Sequence, residues 1–577
     1  MARVVRLLGA VLSIAVLLVT IIRAGADSPV AKAVKAGDLT TVRKLIASRS
    51  DVNTPTGDGS TPLLWAVHLP DIEMVKALIA AGARVDVPNH YGVTPLLDAS
   101  RTGDEEMMEV LLKAGADPKL AHPEGETPLM AASRSGSLAG VKLLLSRGVD
   151  VNATETFQQQ TALMWAAAEG HVDVVEALLK AGADPNRKAH VSSLTERKNA
   201  DHPTGGFTAL MWAARNGSED TVRALVKGGA DMAMKNGDNA TATMVAIYND
   251  RFDMAKAMID LGSDPNDGSL YTAVEMRDST TDQFAFDGSR LRPNNPNKLT
   301  SLDLIDLLLE RGADPYKPFS GQFHSTSMPN SDRFDNSPFM RSAVSSDVEA
   351  LKVFIKHKID LDKVVPAAAV AAAEGAPAAP AAAGGRGRGG NPNAGRTASM
   401  VTMTGGRAPA MTGGPGYLRS AGPVPYREPG SRKPEDAFAT LLKGGANPNA
   451  KAPDGNTLLH LAVQANNLDM INALASAGVK YDQTNNAGLT ALDVAEGKQP
   501  AGAAAAPGRG ARGGAPPAAG ARGRGGARGG GTTPQDVAKR LRELMGLPPA
   551  PPAATPPAAA ASEVPAVPTA AEEEEQQ

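Results

Sequence analysis

Nine histidines are the first residues to weigh for chemistry: His68, His90, His122, His171, His190, His202, His324, His357 and His460. None sits in an HExxH spacing or beside the carboxylates that would complete a metal set. His190 and His202 share one loop segment, which alone makes a poor ligand set. Cysteine is absent, which removes disulfides, thiolate metal sites and cysteine nucleophiles. There is no GxSxG nucleophile elbow and no GxxxxGK phosphate loop. Gly508, Gly510 and Gly513 match GxGxxG, but no strand precedes them in their Gly/Arg/Ala tract, so the match is chance. The many Asp and Glu follow turn and helix-face positions and suit a solvated surface. No catalytic, cofactor-binding or metal-binding residue emerges, and the chain is not expected to be an enzyme.

Charge is unevenly spread. The formal net charge is -3. Residues 367–434 carry eight Lys/Arg against Glu374 and Glu428. Residues 497–533 carry Lys498, Arg509, Arg512, Arg522, Arg524 and Arg528 with no acid, so the remainder is strongly acidic. GRGRGG at 385–390 and ARGRGGARGG at 521–530 look like RNA-binding segments, but such segments add aromatics that stack on bases. Only Tyr417 and Tyr426 lie near the first tract and none near the second. Nucleic acid is therefore not the expected partner. Flexible linkers are the plainer reading, with contact to a polyanion or the cell envelope as the alternative.

The elements that position these residues come from a repeat. Thr61, Thr94, Thr127, Thr161, Thr208 and Thr241 recur at intervals of 33, 33, 34, 47 and 33. Gly82, Gly115, Gly148, Gly182, Gly229 and Gly262 recur in the same series. Such self-similarity marks a solenoid. Threonine can cap a helix, and proline suits the position after it. Leu63, Ala66 and Val67 share one helical face, and Val75, Leu78 and Ile79 form the stripe of a second helix. Gly82 then permits the left-handed turn beyond that helix. Each repeat reads as helix, turn, helix, extended loop, with its core completed only by stacking.

TPLLWAV at 61–67, TPLMAAS at 127–133 and TALMWAA at 161–167 and 208–214 resemble the first-helix motif of the ankyrin-repeat family. LLKAGADP at 111–118, LLKAGADPN at 178–186 and LLKGGANPN at 441–449 resemble its second-helix ending. The resemblance implies an all-α solenoid of about twelve helix-turn-helix repeats, several degenerate, with disordered insertions. It also implies a protein-interaction scaffold, with an enzyme of unrecognised type as the remote alternative.

The expected organisation is a secretory signal peptide at 1–26, a first ankyrin block at 27–366 and an Ala/Pro/Gly/Arg-rich linker with a degenerate repeat at 367–433. A second block at 434–496, a disordered insertion at 497–533, a capping helix at 534–546 and an acidic disordered tail at 547–577 follow. No clean first helix is visible between Lys358 and Gly445, and Pro423, Pro425, Pro429 and Pro434 exclude one where counting back places it. Arg3 and Arg6, the apolar run Leu7–Ile22 and Ala24-Gly25-Ala26 have the order of a cleaved leader. Export to the periplasm or medium, from a bacterium, is expected. An uncleaved anchor at 7–22 would put the chain on a membrane.

The resemblance places loop tips and first-helix ends on a concave binding face. Tyr91, Phe157 and Phe207 lie just before the threonines, and His68, Arg101, Arg134, Arg215 and Tyr248 lie seven residues after them. Aromatics and arginines dominate interface energies. The three arginines are expected to form a basic column that steers an acidic segment of a protein partner, with the chain itself monomeric. Trp65, Trp165 and Trp212 repeat one position and read as packing residues, with partial exposure towards the concave face as the alternative, and Met130, Met164, Met211 and Met244 also read as packing residues.

Overall fold

The computed structural model describes residues 27–192, 204–278, 297–319, 337–364, 396–403, 430–498 and 532–549. Residues 1–26, where the leader is expected, the Arg/Gly-rich stretches at 385–390 and 521–530, and the residues beyond 549 lie outside the described residues. Among the described residues, no helix is long and apolar enough to cross a membrane.

The described chain is almost entirely paired helices. In order they are α1 (Pro29–Lys35), α2 (Leu39–Ala47), α3 (Pro62–His68), α4 (Ile72–Ala80), α5 (Pro95–Thr102), α6 (Glu105–Lys113), α7 (Pro128–Arg134), α8 (Leu138–Leu145), α9 (Ala162–Glu169) and α10 (Val172–Lys180). Then come α11 (Ala209–Asn216), α12 (Glu219–Lys227), α13 (Ala242–Tyr248), α14 (Phe252–Asp260), α15 (Ser269–Asp278), α16 (Ser301–Glu310), α17 (Pro338–Val344), α18 (Val348–Lys356), α19 (Ala398–Met403) and α20 (Pro434–Lys443). The last four are α21 (Leu458–Gln464), α22 (Leu468–Ser476), α23 (Ala491–Ala495) and α24 (Pro534–Leu544).

Local sequence explains the pairs. Each of the six repeated threonines is an N-cap whose hydroxyl accepts a backbone N–H three residues on, from Thr61 with Leu64 to Thr241 with Met244. The recurring glycine sits one or two residues beyond the second helix's C-cap with positive φ: Ala81 caps α4 and Gly82 has φ 87°, while Ser146 caps α8 and Gly148 has φ 71°. That conformation costs other residues a Cβ clash, which is why glycine recurs there.

The chain forms two compact bodies, Met1–Pro453 and Asp454–Gln577. In the first, odd-numbered helices α1 to α19 stack in one layer and even-numbered helices α2 to α20 in the other. One continuous apolar core runs from Val30 to Ala446. Met130, Met164, Met211 and Met244 are buried in it. In the second body α21 packs on α22 and α23, and α24 closes the group over α22 and α23. Arg540 Nε donates to Asn472 Oδ1 at 2.9 Å and Arg542 Nε to Glu496 Oε1 at 2.8 Å, fixing that closing helix.

Two expectations change here. The missing first helix exists: it is α19, which packs against α17 and against its partner α20. It escapes counting because it has six residues and begins far upstream of the prolines, yet Ala398, Met400 and Val401 are as buried as any core residue. The segment 434–443 therefore belongs with the first body rather than opening a second block. The other change is a two-stranded antiparallel pairing in the inserted loop, Val191–Ser192 (β1) with Thr204–Gly205 (β2). It lies outside the helical core.

Candidate functional site

The loops leaving each second helix are locked to one another. His90 N donates to Asp58 O at 2.9 Å, Thr156 N to Glu124 O at 2.8 Å and His190 N to Gln158 O at 2.6 Å. Side chains reinforce this ladder. His122 Nε2 lies 2.6 Å from Tyr91 O, and Asn89 Oδ1 accepts the N–H groups of Tyr91 and Val93, each at 3.0 Å. At the next tip but one, the Glu155 carboxylate is 8% exposed and accepts from Phe157 N (2.6 Å), Gln158 N (2.8 Å) and Gln160 N (2.8 Å). A buried anion with three backbone donors holds its loop in one shape.

Two of the eight candidate residues stand out on these tips. Tyr91 is 70% exposed and Phe157 77%. They are the large aromatics most open to solvent among the described residues. Their backbones are pinned while their rings are in water.

The other candidates are placed differently. Phe207 is half-buried and packs on Trp212, with ring centroids 5.1 Å apart. Tyr248 is also half-buried, its hydroxyl is enclosed, and burial pushes its phenol well above the usual range. Neither is the open aromatic that the spacing suggested: Phe207 is covered in part by Trp212 of its own repeat, and the Tyr248 hydroxyl is enclosed. His68 is exposed, with Nδ1 3.2 Å from Asp98 Oδ2 and its ring edge-on to Trp65.

The arginines do not form an uncompensated column. Arg101 makes a forked contact with Glu126, which raises the guanidinium's already high pKa. Arg134 Nε lies 3.8 Å from Glu169, and its guanidinium lies 5.6 Å from the Trp165 ring centre. Arg215 lies over Trp212 at 5.4 Å. Stacking one repeat on the next brings an acid beside the first two, so the local reversal of sign is absent there. Lys35 lies over Trp65 at 4.3 Å. All three tryptophans are thus half-buried: each packs against the core and has a cation above its ring. Trp65 Nε1 donates to Thr56 Oγ1 at 3.1 Å and Trp165 Nε1 to Gln160 Oε1 at 2.9 Å, tying platform to loop.

His171 is the N-cap residue of α10, with Nε2 3.0 Å from Arg134 O, a structural role. His202 lies outside the described residues. Among the described residues no group of three or more His, Asp or Glu is arranged to hold a metal ion.

Sequence reasoning missed a buried charge cluster. Arg277, at the end of α15, donates from Nε to Asp347 Oδ2 at 2.7 Å, from Nη2 to Asp347 Oδ1 at 3.2 Å and from Nη1 to Ser301 Oγ at 3.0 Å. Arg432 contacts the same carboxylate and donates to Arg277 O at 3.1 Å. Arg341 pairs with Glu275 beside them. Arg277 is separated from Asp347 by 70 residues, so no local pattern announces the pair.

The comparisons with known proteins agree with this architecture. A family model described as ankyrin repeats in three copies matches residues 30–122, 114–189 and 190–269, and one described as ankyrin repeats in many copies matches 441–495. The chain belongs to the ankyrin-repeat family. The human ASB11 ankyrin repeat domain is similar to it, at 26% identity over 40% of this chain and 97% of that one, with a TM-score of 0.34. Ankyrin repeats are protein-interaction scaffolds, and the repeats here present loop tips of the kind described above.

Proposed function

We propose that this ankyrin-repeat chain is a scaffold that binds a protein partner outside the cytoplasm, with Tyr91 and Phe157 as its anchors. One observation carries the reading: two aromatic rings that are mostly in water stand on loops that Asn89 and Glu155 hold rigid. Exposed apolar rings are the residues that a partner desolvates with most gain. Fixing their loops beforehand removes an ordering cost on binding. The neutralised arginines argue against charge as the main attraction. Export is supported by Arg3, Arg6, the apolar run Leu7–Ile22 and Ala24-Gly25-Ala26.

The test is crosslinking in the native host, with the captured partner then titrated against the purified chain. Tyr91→Ala with Phe157→Ala should weaken binding by about 2 kcal/mol or more while circular dichroism stays unchanged. Replacing Arg101 and Arg134 by Ala should matter less. The opposite ranking would sink the aromatic reading and restore the acidic partner. N-terminal sequencing of the mature protein should begin at Asp27, and a chain retained whole in the cytosol would overturn export.

A further inference from the structure

A cavity of about 450 Å3 opens among the loops that join α12 to α13, α14 to α15 and α16 to α17. It exists because the repeat departs from its pattern there. In place of a threonine cap, Asp267-Gly268 precedes α15. Gly268 has φ 117°, and a Cβ on it would lie 2.9 Å from the Phe319 ring. Glycine therefore permits Phe319 to seat against Tyr271, with the two rings parallel within 6° and 4.8 Å apart. This aromatic pair helps form the wall.

The polar lining has a clear sign. Asp231, Asp264, Asp267 and Asp314 face it, against Lys235 and Lys317. Lys317 Nζ is occupied by Asn266 O at 2.7 Å. Among the described residues none of the four aspartates forms an ion pair with a cation. Asp231, Asp264 and Asp314 each accept the backbone N–H two residues on, an ordinary turn bond that leaves the carboxylate charge in place. Asp267 is different. It accepts from Ser269 N at 2.8 Å and Thr241 Oγ1 at 2.5 Å, both neutral donors. Burial raises its carboxyl above the usual range, with Asp264 adding to the rise. A partly enclosed carboxylate without a cation, beside an aromatic wall and other acids, is a receptor lacking its counter-charge.

We infer that this cavity receives the side chain of an arginine carried by the bound partner. The volume is ample for one such chain, whose methylenes pack on Tyr271 and Phe319 while the guanidinium meets Asp267. A planar guanidinium suits both halves of the site, because it stacks on aromatic faces and donates to a carboxylate in a fork. Each Asp267 oxygen has one accepted hydrogen bond and a lone pair to spare. The inference rests on the proposed scaffold function, and it places a specificity pocket several repeats beyond the Tyr91 and Phe157 anchors.

The experiment uses the full mature chain and saturation-transfer NMR. The probes are acetyl-Gly-Arg-Gly-amide, its citrulline and lysine counterparts, and free arginine. Citrulline has the arginine shape without the charge. The arginine peptide should bind on the order of tenfold more tightly than the citrulline peptide, the loss expected for one charged hydrogen bond. Asp267→Asn, which still accepts from Ser269, should abolish the difference. Should that variant fail to fold, Asp231→Asn with Asp264→Asn, both at exposed positions, should weaken the arginine peptide severalfold. Binding should also decline as falling pH protonates Asp267, whose carboxyl burial shifts upward. Equal binding of the citrulline and arginine peptides, or no transfer to any peptide, overturns the inference. Free arginine binding as well as the peptide would mark a small-molecule site and equally overturn it. Tyr91→Ala with Phe157→Ala should leave arginine-peptide binding untouched. A pocket that fails while those anchors still govern partner capture sinks this inference and spares the scaffold function.

Discussion

Replacing Asp347 by Asn should loosen the first body more than any surface change. Asp347 is 1% exposed and Arg277 is fully buried. The carboxylate accepts two hydrogen bonds from Arg277 and meets Arg432, while it also caps α18 by accepting Ala350 N at 3.1 Å. Burial alone would raise its pKa, but the two guanidiniums outweigh that and hold it below the usual carboxylate range. Asparagine keeps the cap and nearly the shape, but removes the charge and turns the acceptor of Arg277 Nε into a donor. Two buried guanidiniums would then lack their shared anion, a loss of about 3–5 kcal/mol. Asp347→Ala also removes the cap and should cost about 1 kcal/mol more. An array of repeats opens locally, so a single melting curve is a poor measure. Native-state hydrogen exchange across α15 to α20 is the assay, with α3 to α8 as the internal reference. The loss should fall in the former segment and leave the latter unchanged. The pH dependence has a definite sign. A carboxyl depressed in the folded state contributes stability above its unfolded pKa of about 3.9. Protection should therefore be flat from neutral to about pH 4 and decline only below it. A change within about 0.5 kcal/mol for Asp347→Asn, the range of ordinary surface substitutions, would refute the claim that this cluster holds the repeats flanking α17 and α18.

Two further outcomes follow from the geometry. Glu155→Ala removes the acceptor shared by Phe157, Gln158 and Gln160, and should cost about 1–3 kcal/mol. Exchange at those amides should rise, and partner binding should fall without any change to the Phe157 ring itself. Met400→Ala in α19 should destabilise by about 2–5 kcal/mol, as for any core residue. A neutral result there would mean that α19 is not part of the stack.

What the sequence alone determined was whatever a single repeat can encode. Thr161 caps because its hydroxyl reaches an amide three residues away, and Gly182 turns because it has no Cβ. Both are local facts, and repetition at a fixed interval multiplied them into a fold. The tips bearing Tyr91 and Phe157 were legible for a similar reason, since Tyr91 lies three residues before Thr94 and Phe157 four before Thr161. Tertiary structure decided everything that depends on the neighbouring repeat. Glu126 and Glu169 neutralise Arg101 and Arg134 only because stacking brings one repeat's loop or helix end onto another's side chain. Phe207, one residue before Thr208, and Tyr248, seven after Thr241, are half-buried by packing. The short helix α19 forms where α17 and α20 complete its core, which no count along the chain reveals. Asp347 meets Arg277 and Arg432 across insertions whose length carries no information about where their ends return. Contacts within a repeat follow from short-range covalent geometry, whereas charge pairing and burial between repeats follow from which surfaces stacking presses together.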